Sequence, residues 1–155
     1  MKEESIGRVH QIVSFRQFRG KAMDGYEAVD FYDIESQLTE EEVMIRDMVR
    51  EWVSEEVIPN IEQACRDGVF PDKWRVDLGE MGVLGAPLDG YGCPGLSYTA
   101  YGLICQELER GDSGLRSFAS VQGSLAMYPI WDFGSEEQKN HYLPKMASGE
   151  WVGCF

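Results

Sequence analysis

A single charged side chain, Arg116, lies in an otherwise neutral and largely apolar stretch between Gly114 and Trp131. A guanidinium can hold a carboxylate through two parallel N–H bonds, and a hydroxyl can add a further donor. Ser117 and Ser120 carry hydroxyls close by, and Ser120 lies one helical turn from Arg116 on the same face. Since burying an unpaired arginine is costly, an arginine in this helix is expected to pair with an anion, which can be the carboxylate of a ligand.

Two alternatives for Arg116 need no ligand. The guanidinium can pair with an acid of its own chain, Glu109 or Asp112, or it can reach solvent from the first turn of its helix. The two serines can likewise be ordinary small helix residues.

The cysteines and histidines do not predict a metal site. The chain has four cysteines but no Cys-x-x-Cys pair, and His10 and His141 are far apart, so no zinc site is expected. With no secretory signal in view, the cysteines are expected to stay reduced. His141 is expected at the surface of a short polar helix.

A glycine-rich loop and a set of glutamates are both expected to have structural rather than chemical roles. The loop "GAPLDGYGCPGLS" superficially resembles a phosphate-binding loop, but it lacks the Lys-Ser/Thr ending and a preceding strand, so a turn between two helices is expected. The carboxylates of the later helices are expected on a solvated face; they are Glu107, Glu109, Glu136 and Glu137.

Apolar residues at three- and four-residue steps predict a long first helix in "QLTEEEVMIRDMVREWVSEEVIPNIEQACRDG". Thr39 is its expected N-cap, Pro59 should kink or interrupt it, and Gly68 should end it. A second, shorter helix is expected between Pro71 and Gly82.

Three more helices are predicted after the loop. Ser97 should cap the first, whose inward face would be Tyr101, Ile104, Cys105 and Leu108. Asp112 or Ser113 should cap the helix that carries Arg116, and Pro129 should close or bend it. Ser135 should cap the last one, with Gly149 past its end.

The predicted fold class is all-α. Residues 1–36 are expected to form a tail or an N-terminal strap, with an aromatic cluster at Tyr26, Phe31 and Tyr32, and residues 37–149 a helical domain. Residues 150–155, "EWVGCF", resemble the first residues of a strand. A strand without a partner is marginal, so the pattern indicates a helical domain interrupted as a β domain begins.

The charge distribution argues against a nucleic-acid partner. The net charge is −13, and residues 24–155 carry nine Lys/Arg against 25 Asp/Glu, which would repel a phosphate backbone. No apolar run reaches the length of a membrane span. Residues 5–23 are basic and lack acids, which suits either a mitochondrial address or a solvated tail. The expected location is cytoplasmic, or the mitochondrial matrix in a eukaryote.

Three phrases occur in the order and at the spacing typical of one enzyme family: "MGVLGAP", "GYGCPGLSYTAYGLICQELERGDSGLRS" and "GSEEQKNHYLPKMASGEWVGCF". From about Leu38 to Phe155 the chain resembles the N-terminal helical domain of the acyl-CoA dehydrogenases. The phrase "ERGDSGLRSFASVQGSL" is most similar to the glutaryl-CoA dehydrogenase subgroup. Plant-type short-chain acyl-CoA oxidases share "GYGCPGLS" and are the nearest competitor.

The resemblance implies a helical N-terminal domain, a central β domain and a C-terminal helical bundle, assembled as a homotetramer around FAD. It implies an acyl-CoA substrate, glutaryl-CoA, and an electron-transfer flavoprotein as electron acceptor. A glutamate removes the α proton, a hydride passes from the β carbon to the flavin, and decarboxylation to a crotonyl thioester follows.

The resemblance also assigns roles to residues of this chain. Arg116, Ser117 and Ser120 match the positions that meet the distal carboxylate of the diacid. Gly123, Ser124 and Leu125 match positions beside the acyl channel, although Leu125 suits a core equally well. Phe155 falls at the start of the flavin-binding strand.

The catalytic glutamate belongs to the C-terminal domain, so residues 1–155 alone are expected neither to hold FAD nor to turn over substrate. The remaining alternative is a non-catalytic helical interaction module.

Overall fold

The computed structural model describes residues 31–154. The chain divides into two units, Met1–Thr39 and Glu40–Phe155, and the structure describes each only within that range. The described part of the first unit contains one 3₁₀ turn, Ile34–Gln37. Of the aromatic cluster expected there, Phe31 and Tyr32 are exposed, and Tyr26 lies outside the described residues.

The second unit is built from helices, which confirms the predicted all-α class. Two π-helical segments, Val53–Val57 and Val121–Met127, interrupt the α-helical pattern. The α-helices in chain order are α1 (Glu40–Trp52), α2 (Ile61–Asp67), α3 (Asp72–Glu80), α4 (Tyr98–Gly111), α5 (Ser113–Ser120), α6 (Tyr128–Phe133) and α7 (Glu136–Ala147).

Most predicted helix ends are confirmed. The Ser97 hydroxyl accepts the amide of Ala100 at 3.0 Å, so it caps α4. Ser135 caps α7 in a reciprocal box with Gln138, which satisfies two amides that the helix itself cannot pair. Gly68 ends α2 in the left-handed conformation, at a φ of 64° that costs glycine nothing.

The prolines act less simply than the sequence indicates. Pro59 does interrupt the first helix, after the π-helical segment Val53–Val57. Pro129 does not close its helix, which continues as α6 to Phe133. Proline lacks an N–H and its ring crowds the carbonyl four residues before it. The wider π-helical turn of Val121–Met127, just before it, accommodates both defects.

The Gly- and Pro-rich loop forms a small hairpin that the sequence did not predict. Strands β1 (Asp89–Gly90) and β2 (Cys93–Pro94) pair in antiparallel fashion. The two turn residues, Tyr91 and Gly92, both have positive φ, 52° and 94°, as a two-residue hairpin turn requires. Trp131 fixes the hairpin, because its indole N–H donates to the carbonyl of Asp89 at 2.8 Å.

Residues 150–154 do not form the expected strand. No partner strand lies beside them among the described residues, and a lone strand is not stable. The buried Gln122 holds this segment instead. Its side-chain amide donates to the carbonyls of Met146 at 3.1 Å and Trp151 at 2.8 Å, and its side-chain oxygen accepts the amide of Gly153 at 2.8 Å.

Replacing Gln122 by methionine is therefore expected to lower the free energy of unfolding by about 2–3 kcal/mol, since three backbone groups lose their partner. Urea unfolding of the purified protein measures the loss. The exposed Gln106 provides the matched control, and Gln106→Met should change stability by less than about 0.5 kcal/mol. Equal effects of the two substitutions would contradict the role of Gln122.

The buried side chains form two clusters. The larger lies among α1, the first π-helical segment, α3, α4 and α5, and the smaller joins the hairpin, the second π-helical segment and α7. Backbones approach closely at Gly79, where an added Cβ would lie 2.2 Å from the carbonyl oxygen of Ser148. In the part of the chain that the structure describes, no helix is both long and apolar enough to cross a membrane.

Candidate functional site

Arg116 lies at the corner between α4 and α5. The chain leaves α4 at Gly111 and turns at Asp112, whose extended backbone has a φ of −166°. The Asp112 carboxylate accepts the amide of Leu115 at 2.8 Å and so caps α5, as predicted. This sharp corner brings the last turn of α4 opposite the first turn of α5. Glu109 and Arg116, seven residues apart in sequence, therefore meet side by side.

The guanidinium of Arg116 is paired within the chain. Its Nε donates to Oε2 of Glu109 at 2.7 Å, and the Ser113 hydroxyl donates to the other oxygen of that carboxylate. The hydrogen bond from Arg116 lowers the pKa of Glu109, and the same bond raises the pKa of Arg116, so both groups are charged at neutral pH.

This pairing corrects one sequence-based expectation. The Arg116 side chain is not buried without a partner, because 36% of it is exposed and Glu109 neutralises its charge. Burial therefore does not force Arg116 to seek a further anion, and that step of the sequence argument is wrong. The pairing with Glu109 is one of the two alternatives that the sequence left open. A guanidinium has five N–H donors, however, and Glu109 takes only the one on Nε.

Ser120 lies beside the guanidinium, as the one-turn spacing predicts. Nη1 of Arg116 reaches the Ser120 hydroxyl at 3.4 Å, and this hydroxyl donates its hydrogen to the carbonyl of Ser117 at 3.0 Å. Ser117 thus contributes its backbone carbonyl, which accepts this hydrogen bond, and not its side-chain hydroxyl. Its side chain points about 100° away from that of Arg116 around the helix axis. The structure brings Arg116 and Ser120 together and leaves Ser117 at the edge of the group.

One turn further along the helix from Ser120 lies Ser124, which contacts Tyr101 of α4. Their hydroxyl oxygens are 3.4 Å apart, and either can be the donor. Burial raises the pKa of Tyr101, so the phenol stays protonated at neutral pH. Burial also raises the pKa of the neighbouring Cys105 thiol, on which the Arg116 charge acts in the opposite direction. Sequence reasoning placed Tyr101 and Cys105 on the inward face of α4; both are half-buried.

Glu107 was expected on a solvated face, and that expectation is wrong: only 1% of its side chain is exposed. Arg50 of α1 donates to one carboxylate oxygen at 2.7 Å, and Arg110 donates to the other at 2.9 Å. Arg110 also donates to the Arg50 carbonyl and the Ser54 hydroxyl, each at 2.9 Å. Burial alone would raise the pKa of Glu107, but the two arginines outweigh it and the pKa is lowered.

A sequence signal for this burial exists. Glu107 falls on the same stripe of α4 as the buried Ala100, Ile104 and Leu108, at the three- and four-residue steps of an inward face. The other three carboxylates of the expected solvated face are exposed. Of these, Glu136 accepts the Tyr91 hydroxyl at 2.8 Å.

Cofactor or metal ligands are not evident in residues 31–154. No three His, Cys, Asp or Glu side chains of this range gather as a metal site would require. The cysteines there are free thiols, and burial raises the pKa of Cys93 to about 12, so it is not a nucleophile at neutral pH. His141 is exposed, as expected. Phe155, the predicted cofactor contact, lies outside the described residues, directly after the segment held by Gln122.

The side chains around Arg116 offer hydrogen-bond donors along two packed helices. They are one guanidinium with spare donors, the Ser120 hydroxyl and the protonated phenol of Tyr101, which contacts the Ser124 hydroxyl. Such a set can hold a carboxylate. It contains no activated nucleophile among the described side chains.

Residues 39–150 match the family model described as acyl-CoA dehydrogenase, N-terminal domain. The crystal structure of glutaryl-CoA dehydrogenase from Mycobacterium smegmatis is 54% identical, with a TM-score of 0.73, over 77% of this chain and 31% of that chain. A glutaryl-CoA dehydrogenase from the same organism in complex with FADH2 is 44% identical, with a TM-score of 0.78, over 83% of this chain and 33% of that chain.

A relative found by sequence similarity is also named as an acyl-CoA dehydrogenase. The probable acyl-CoA dehydrogenase YngJ of Bacillus subtilis (strain 168) is 36% identical over 122 residues, which are 77% of this chain and 32% of that protein. The chain thus spans about a third of the length of the curated relatives it matches. The resemblance read from the sequence phrases is confirmed at the level of the family.

Proposed function

This chain belongs to the acyl-CoA dehydrogenase family, and we propose that it forms the N-terminal helical domain of an FAD-dependent enzyme acting on glutaryl-CoA. The observation that carries the substrate class is the Arg116 guanidinium. It keeps spare N–H donors beside the Ser120 hydroxyl, while Glu109 occupies only its Nε. The 54% identity to a glutaryl-CoA dehydrogenase supports the same substrate.

In this proposal Arg116 receives the distal carboxylate of the diacid. Glu109 binds Nε and fixes the plane of the guanidinium, so the ligand meets the two terminal nitrogens end-on. Ser120 adds a donor once its hydroxyl turns from the Ser117 carbonyl to the ligand. A monocarboxylic chain would place apolar carbons against these groups and leave them without a ligand partner. The difference favours the diacid thioester.

FAD is proposed as the cofactor, and when bound it would accept the hydride removed from the acyl chain. The residue proposed to contact it, Phe155, follows two residues after the segment 151–153 that Gln122 joins to the helix carrying Arg116. A homotetramer and an electron-transfer flavoprotein as acceptor complete the proposal.

Anaerobic flavin reduction by the full-length enzyme tests the proposal. Glutaryl-CoA should bleach the flavin absorbance with a second-order rate constant of flavin reduction at least about 10-fold above that of butyryl-CoA, because only the diacid pairs with Arg116. A crotonyl thioester and carbon dioxide should appear as products. An equal or better response to butyryl-CoA would contradict the glutaryl assignment. Stoichiometric peroxide under air would favour the oxidase instead.

A further inference from the structure

Six polar side chains form two facing rows, here called the polar strip. Tyr101, Cys105 and Glu109 lie at four-residue steps on α4, and Arg116, Ser120 and Ser124 lie at the same steps on α5 and the following π-helical segment. Four residues correspond to about one turn, so each row follows one face of its helix. The rows meet at both ends, where Glu109 binds Arg116 at 2.7 Å and Tyr101 lies 3.4 Å from Ser124.

The charge balance of the strip shows what a bound carboxylate would need. Glu109 already neutralises Arg116, so an arriving carboxylate gives this end of the strip a net negative charge. The nearest neutral donor, the Ser120 hydroxyl, has given its hydrogen to the Ser117 carbonyl. Turning that hydroxyl to the ligand gives up its hydrogen bond to Ser117, so a second neutral donor would stabilise the complex further.

Tyr101 supplies that donor. Its hydroxyl makes a long 3.4 Å contact with the Ser124 hydroxyl, in which either oxygen can donate, and it also hydrogen-bonds the weakly accepting thiol of Cys105. Burial raises the pKa of this phenol, although the Arg116 charge acts on it in the opposite direction. The phenol therefore keeps its hydrogen at neutral pH and lies within the electrostatic range of the guanidinium.

We propose that Tyr101 is a second recognition residue for the distal carboxylate of the acyl substrate, with its hydroxyl donating to the ligand beside Arg116. Ser124 then acts as the resting partner of the phenol and releases it when the ligand binds. This inference rests on the proposed function and deepens it, because it adds to Arg116 and Ser120 a residue from the opposite helix.

The substitution Tyr101→Phe in the full-length holoenzyme removes one hydroxyl and keeps the ring. The value of kcat/KM for glutaryl-CoA should fall about 10-fold, mostly through a higher KM, because one hydrogen bond to a charged group is lost. The value for butyryl-CoA should fall far less. Tyr98, which is 75% exposed on the first turn of α4, is the matched control. Tyr98→Phe should leave both substrates unchanged.

The substitution Ser124→Ala distinguishes a ligand-binding role of Tyr101 from a purely structural role. If Tyr101 serves the ligand, removing its resting partner should leave the preference for glutaryl-CoA within about 2-fold of the parent. If the two hydroxyls only support the fold, both substitutions should lower the thermal midpoint alike and affect both substrates equally. That second result would overturn the proposal. So would an unchanged preference in Tyr101→Phe.

Arg116→Ala, measured in parallel, distinguishes the two possible failures. Loss of the glutaryl-CoA preference in Arg116→Ala but not in Tyr101→Phe would overturn the role of Tyr101 and leave the proposed function standing. An unchanged preference in both variants would overturn the diacid assignment itself.

Discussion

Replacing Arg116 by alanine in the full-length enzyme is expected to lower kcat/KM for glutaryl-CoA on the order of 10²- to 10³-fold. The variant loses the charged donors that receive the distal carboxylate, and it leaves Glu109 beside that carboxylate without its neutralising partner. The value for butyryl-CoA should change much less, because this substrate brings no charge to the corner. Steady-state kinetics with both thioesters measures the two effects.

Two comparison variants sharpen this prediction. Arg116→Lys keeps the positive charge but lacks the planar fork, so its loss should be intermediate. Arg66 is an exposed arginine that pairs with Glu62 in α2, and Arg66→Ala should leave both substrates unaffected. Equal losses on glutaryl-CoA and butyryl-CoA in Arg116→Ala would show that the guanidinium supports the fold and does not select the diacid.

Removing the Glu107 carboxylate should produce a large loss of stability. Glu107→Ala leaves Arg50 and Arg110 facing a buried space that no longer holds a charge. Breaking a fully buried ion pair costs about 3–5 kcal/mol. Because 47% of the Arg50 and 39% of the Arg110 side chain remain in solvent, we expect a loss of about 2–3 kcal/mol. Urea unfolding of the purified protein measures it.

The effect of Glu107 should also depend on pH in a defined direction. Its pKa in the folded protein lies below the ordinary value of 4.5. Its contribution is therefore complete above pH 4.5, and it is lost as the pH falls through the folded pKa. The stability difference between parent and Glu107→Ala should shrink over that acidic range. The exposed Glu62, which pairs with Arg66, is the control, and a Glu62→Ala effect as large as that of Glu107→Ala would contradict the burial argument.

The predictable parts of the fold are those that neighbouring residues decide. Ser97 and Ser135 cap helices because each hydroxyl reaches an amide three residues on. Gly68 ends α2 because the left-handed conformation suits glycine. The one-turn relation of Arg116 to Ser120 follows from helix geometry alone. Each of these signals lies within a few residues of its effect, so a single sequence displays it.

The remaining features depend on contacts between distant residues. The stripe of α4 indicates that Glu107 faces inward, but its partner Arg50 lies 57 positions earlier in the chain, and no local pattern shows that partner. Residues 151–153 are held by Gln122 instead of a strand, which also depends on distant packing. The Glu109 partner of Arg116 was among the alternatives. Glu109 takes the guanidinium because the corner places the two side chains together, while the Asp112 carboxylate accepts the Leu115 amide.

A structure of the full-length enzyme with a glutaryl thioester bound tests the central claim most directly. The distance from the ligand's distal carboxylate oxygens to the terminal nitrogens of Arg116 is the decisive quantity. We expect about 2.7–3.0 Å, with Glu109 still on Nε. A distal carboxylate that lies away from Arg116, while Arg116 and Glu109 keep only each other, would contradict the account.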